Sequence, residues 1–168
     1  MRRDGTALPW WLLAGTVGAV CAQTALGGLI DAGGARPDIV LAAVIGVGVL
    51  AGWWGGVAAG VIAGWCILAL APQPTWLWPL LYAGLGWLAG LVSHPFDRRS
   101  PWLHLLLVCA SAVLLGWAVC VMRAPAERLA PTWREVWTWL LQYVAYSGLA
   151  GLPVFLVLKQ ITTAAGGR

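Results

Sequence analysis

Apolar residues run through this chain in long blocks, and the polar interruptions between them predict its elements. The first block, residues 9–30, follows Met1-Arg2-Arg3, a basic start of the kind that opens a signal peptide. Its 22 residues exceed the roughly 7–15 of a signal-peptide core, so it reads as a retained first membrane helix. The polar stretch 31–38 ends it. After Asp38 there is no Asp, Glu, Lys or Arg until Asp97, a gap of 58 residues. Within that gap, residues 39–71 as one helix would be about 50 Å long at about 1.5 Å per residue. The hydrocarbon core of a bilayer is only about 30 Å thick. The chain is therefore expected to turn at Trp53-Trp54-Gly55-Gly56, where glycine permits a tight turn and tryptophan suits the interface. This gives two short spans at about 38–53 and 56–71.

Pro72-Gln73-Pro74-Thr75 breaks the pattern again. A fourth span, 76–92, carries Pro79 in its first turn, where a missing amide costs little. The loop 93–101 precedes a fifth span at 102–122. A longer polar segment, 123–136, precedes the sixth, 137–158, which Pro153 is expected to kink. The pattern as a whole predicts one all-α transmembrane domain over residues 1–168, a six-helix membrane bundle.

Composition supports that class. The chain is 61% hydrophobic and 10% charged, with mean hydropathy +0.82, against about 45–50% and about 25% for soluble domains. An ordinary soluble domain and a disordered chain are excluded. So is a basic-patch nucleic-acid binder, because the ten basic residues behind the net charge of +4 are scattered. Six spans put Arg2, Arg3, Arg98, Arg99, Lys159 and Arg168 on one side and Arg36, Arg123, Arg128 and Arg134 on the other. Taking 39–71 as one helix would split them evenly. The excess of positive charge on the cytoplasmic side favours six spans with both termini cytoplasmic. Ten of the 13 tryptophans fall near predicted span ends, leaving Trp65, Trp87 and Trp117 inside, as expected of an aromatic belt.

Little in the chain suggests chemistry. No predicted span carries a charged side chain, which argues against an ion-coupled carrier. His94 and His104 read as polar groups of a loop and a span start. Cys21, Cys66, Cys109 and Cys120 lie in apolar stretches without the close spacing of a metal or redox site. No hydrolase, zinc-protease or phosphate-loop motif occurs. The expectation is a protein that is not an enzyme and has no metal or cofactor. Polar residues within spans are few: Gln23 and Thr24 in the first, and Gln142, Tyr143, Tyr146 and Ser147 in the sixth. They read as hydrogen-bonding partners between helices, with a small-ligand pocket as the alternative. Pro37-Asp38 reads as the start of the second helix, with Asp38 as its N-cap.

Glycine spacing is the clearest signal. Gly48, Gly52, Gly56, Gly60 and Gly64 recur every four residues, and Gly86 and Gly90 repeat the spacing in the fourth span. Ala14, Gly18 and Ala22 make a softer version in the first. Small residues at this spacing let helix backbones approach closely. They are expected to pack the bundle, or alternatively to receive a partner helix.

The order of these features resembles MreD, the rod-shape-determining membrane protein of bacteria. The resemblance rests on Arg36-Pro37-Asp38-Ile39-Val40-Leu41 opening an uncharged second span, a glycine-rich third span, and Leu80-Leu-Tyr-Ala-Gly-Leu-Gly-Trp-Leu-Ala-Gly90 as the fourth. It covers nearly the whole chain. Members of that family often carry an acid near the end of the third helix, where this chain has Cys66-Ile-Leu-Ala-Leu-Ala-Pro72. The resemblance implies a multi-pass subunit of the bacterial inner membrane within the cell-elongation machinery, surrounded by membrane lipid. It implies a direct partner like MreC, a single-span protein. Further partners would be MreB filaments, a SEDS polymerase and a class B penicillin-binding protein. It also implies a fold like the substrate-binding components of energy-coupling-factor vitamin transporters. Such a component is the alternative function, with the same number of spans.

Overall fold

The computed structural model describes residues 10–26, 36–70, 76–96, 100–123 and 132–166. Among them are six α-helices and no strand. These are α1 (Trp10–Leu26), α2 (Ile39–Ala51), α3 (Trp53–Leu70), α4 (Leu77–Val92), α5 (Pro101–Arg123) and α6 (Trp133–Gly166). Helices α3, α5 and α6 are long and apolar enough to cross a membrane. Helices α2 and α4 are shorter, at 13 and 16 residues.

The shortest helix holds the centre. Every residue from 40 to 49 is buried, and α2 packs against all five other helices. Its sequence, IVLAAVIGVGVLA, has no polar face, the pattern of a helix enclosed on all sides. Leu41, Val44 and Ile45 meet Val108 and Leu115 of α5 and Phe155 of α6 in one core. Opposed residues fix the directions. Asp38 lies beside Tyr143 and Ser147, while Gly46 lies beside Leu158, so α2 and α6 run parallel. Gly56 faces Gly86 and Gly64 faces Pro79, so α3 and α4 run antiparallel.

The link between α2 and α3 is tighter than the pattern predicts. It is a single residue, Gly52, at φ 83° and ψ −176°. A side chain is strained in that region, so glycine is required there. Trp53 and Trp54 do not form the turn. They open α3, with their rings stacked 4.0 Å apart.

The glycine ladder packs the bundle from within. A Cβ added at Gly86 would lie 2.6 Å from the Gly56 carbonyl carbon, and one at Gly60 would lie 2.5 Å from the Ala83 backbone. One at Gly48, on α2, would reach the Gly86 carbonyl oxygen at 2.7 Å. Three backbones thus converge at the level of Gly48, Gly56 and Gly86. Gly64 and Gly90 close the two ends of the α3–α4 contact, against Pro79 and Trp53 respectively. The softer stripe on α1 behaves differently. Ala14 and Gly18 are exposed, and a Cβ at Gly18 would meet nothing within 4 Å. It is Thr16, Ala19 and Val20 that turn inward.

One further boundary moves. α6 begins at Trp133 rather than 137, with Thr132 and Glu135 exchanging side-chain-to-backbone hydrogen bonds of 3.4 and 2.8 Å. This reciprocal cap pulls a polar segment into the helix. α6 also stays helical through Pro153, which lies on an exposed face. Trp65 and Trp87, expected mid-span, are exposed, as are Trp53, Trp54, Trp76, Trp102, Trp133 and Trp137. Together with exposed Leu80, Leu88, Leu91, Leu106 and Leu141, they give the bundle an apolar exterior suited to lipid. The cysteines are free. The expected Trp10 and Trp11 side-chain positions and the breaker at 72–75 lie outside the described residues.

Replacing Gly86 by Ala should destabilise the bundle by about 1–3 kcal/mol through forced separation of α3 and α4. Gly84→Ala, where an added Cβ meets nothing within 4 Å, should leave it intact. Thermal melting of the two variants in mild detergent makes the comparison.

Candidate functional site

A buried helix end exposes backbone N–H groups that must find acceptors. The N-terminus of α2 ends inside the bundle, and side chains from two neighbouring helices reach it. The Val40 amide donates to Gln23 Oε1 of α1 at 2.9 Å. The Leu41 amide donates to Asp38 Oδ1 at 2.8 Å, so Asp38 is the N-cap, as expected. The Asp38 amide donates to Ser147 Oγ of α6 at 3.1 Å.

Asp38 does more than cap. Its Oδ2 accepts from Tyr82 of α4 at 2.7 Å and from Tyr143 of α6 at 2.9 Å. All three residues are buried. One carboxyl group therefore ties α2, α4 and α6 together. The expectation that all charge lies outside the bundle is corrected here, because Asp38 sits within it. The physical reason is the shortness of α2. A helix of 13 residues spans about 20 Å, so its end falls below the level where water would serve its amides.

A cavity of about 360 Å³ adjoins this cluster. Its lining brings together Gln23, Asp38, Tyr82 and Tyr143 with the indoles of Trp78 and Trp139. Trp139 stacks on Tyr143 at 5.3 Å, and Trp78 lies 6.3 Å from Tyr82. Exposed Arg36 lies on the rim. The cavity lies at the end of the bundle shared by the N-termini of α2, α4 and α6. An apolar groove along Val20, Thr24, Val40 and Leu70 shares Gln23 and Ile67 with it.

The sequence-based candidates divide clearly. Pro37 and Asp38 line the cavity. Gly56, Gly60, Gly64, Gly86 and Gly90 lie in the α3–α4 contact, and Gly52 forms the turn, so none of these glycines lines the cavity. Of the polar span residues, Gln23, Tyr143 and Ser147 converge on α2. Thr24 instead donates to the Cys21 carbonyl, and Gln142 lines a shallow groove with Arg134 and Glu135. Tyr82 and the two indoles were not singled out as site residues. The available signal was the scarcity of tyrosine, since two of only three in the chain meet at Asp38.

His104 also departs from expectation. It lies in the first turn of α5, where the span start was expected, but is fully buried and stacked on Phe155 at 4.5 Å. His94 is exposed just beyond α4, as expected. Among the described residues no group of three or more His, Cys, Asp or Glu is arranged to hold a metal.

Compared with protein-family models, curated proteins and solved structures, the chain matches none.

Asp38→Ala should destabilise the bundle by about 2–4 kcal/mol, since it removes a cap and leaves two buried phenols and an amide without their acceptor. Tyr143→Phe, which removes one of the donors, should cost about 0.5–1.5 kcal/mol. Equal melting temperatures for the two variants in detergent would contradict the hub role.

Proposed function

We propose that this chain is a non-enzymatic, multi-pass subunit of the bacterial inner membrane that works by association, as the MreD family does. In this reading both termini are cytoplasmic. The cavity end faces outward and receives the membrane-proximal segment of a single-span partner like MreC. The complex would then help position peptidoglycan synthesis by a SEDS polymerase and a class B penicillin-binding protein along MreB filaments, maintaining cell shape.

The observation that carries the reading is the position of the Pro37-Asp38 motif. The residues that carry the family resemblance are those that organise the interior, and they open onto a cavity at one end of the bundle. The glycine faces, by contrast, are occupied by packing within the chain. That leaves the cavity end, rather than a small-residue face of α3 or α4, as the place for a partner. The test is retention. The protein purified from its own membranes in mild detergent should bring an MreC-like single-span protein with it. Purification without such a partner, under conditions that keep the bundle folded, would overturn the reading.

The same cavity supports a second reading, the substrate-binding component of an energy-coupling-factor vitamin transporter. Convergent polar groups beside aromatic walls, around a ligand-sized space, are what a small-molecule site needs. Such a component should carry a small ligand through purification, visible by mass spectrometry after denaturation.

A further inference from the structure

The chemistry of the cavity specifies what fits it. An aspartate in an apolar bundle stays there at a cost unless its charge is met. The donors that hold Asp38 are two phenols and a backbone amide, and none of the three is a cation. The Val40 amide, which donates to Gln23, also lies near the carboxylate, so every protein donor around it is neutral. Beside it stand four aromatic rings, Trp78, Tyr82, Trp139 and Tyr143, around a space of about 360 Å³. Aromatic faces carry partial negative charge and attract cations, most strongly when water is excluded. A carboxylate flanked by aromatic rings is therefore a cation receptor. An N–H-bearing cation suits it better than a quaternary one, because it can also share a charge-assisted hydrogen bond with the carboxylate.

We propose that the cavity binds a primary ammonium or guanidinium group, supplied by a Lys or Arg side chain in the membrane-proximal segment of the partner. The source of the cation rests on the association reading above, while the receptor chemistry rests on the cavity alone. The apolar groove that shares Gln23 and Ile67 with the cavity gives the aliphatic stem of such a side chain, or its apolar neighbours, a continuous path.

The test uses the full chain purified in mild detergent, with probes at matched ionic strength. n-Butylguanidinium and n-butylammonium should raise the melting temperature saturably. Butyramide and butyrate, of similar size but neutral or anionic, should not. Trp139→Leu should weaken guanidinium binding by about tenfold, and Asp38→Asn by about thirtyfold or more. If Asp38→Asn fails to fold, Trp78→Leu together with Trp139→Leu gives the same reading with the carboxyl and its hydrogen bonds left in place. Equal response to butyramide, or unchanged affinity in the tryptophan variants, would overturn the proposal. Tighter binding of choline than of n-butylguanidinium would also overturn it, because choline cannot donate to Asp38. Retention of an MreC-like partner by a protein that ignores the cationic probes would sink this inference alone. Cation binding without any such partner would sink the association reading and leave the receptor standing.

Discussion

The bundle depends on satisfying one buried helix end. Helix α2 is apolar on every side and sits at the centre, so its first amides open into protein rather than water. Three side chains meet them, from α1, α6 and Asp38 itself. Hydrogen bonds to a charged group are worth about 1.5–3 kcal/mol each, and a buried donor left unpaired costs a comparable amount. That asymmetry makes the cluster compulsory. Asp38 is placed to cap α2, and once buried it requires donors of its own, which Tyr82 and Tyr143 provide. Each added group solves the problem created by the one before it, and the chain of solutions joins four of the six helices.

The other end of α2 is handled by geometry. Gly52 turns the chain in one residue, which brings α3 back directly along α2. From there the glycine ladder brings α3 against α4 until backbone touches backbone. Between lipid-facing helices the hydrophobic effect offers little net attraction, so close packing of small residues carries more of the association. A short central helix, a one-residue turn and a small-residue seam are thus parts of one arrangement. The seam lets α4 come close enough for Tyr82 to reach Asp38.

This arrangement bears directly on how a partner is met. The small-residue faces that would suit a foreign helix on α3 and α4 are already used within the chain. What stays open is polar and aromatic, at the end where α2, α4 and α6 begin. Under the association reading, a protein built this way would meet its partner with a chemically specific recess. Among the described residues, the stripe of Ala14 and Gly18 on α1 is a small-residue face that turns outward.

Length, polarity and period, read along the chain, were enough for the six helices, the membrane class, the N-cap at Asp38 and the close-packing role of Gly56, Gly60, Gly64, Gly86 and Gly90. These are local properties: apolar block length against bilayer thickness, a capping side chain beside its helix, a spacing of four on one helix face. The enclosure of α2 was legible only as a run without a polar face. Its consequences were not legible at all, because Gln23, Asp38, Tyr82, Tyr143 and Ser147 are far apart in sequence and each alone is ordinary. The burial of His104 was not legible for the same reason, since burial is decided by what packs over a residue. Sequence alone therefore determined the order of the helices and where the apolar blocks break. Only the tertiary structure decided that a lone carboxylate lies among aromatic rings at the head of a buried helix. That decision belongs to packing, because an unpaired amide in an apolar interior draws its acceptor from whichever helix lies nearest.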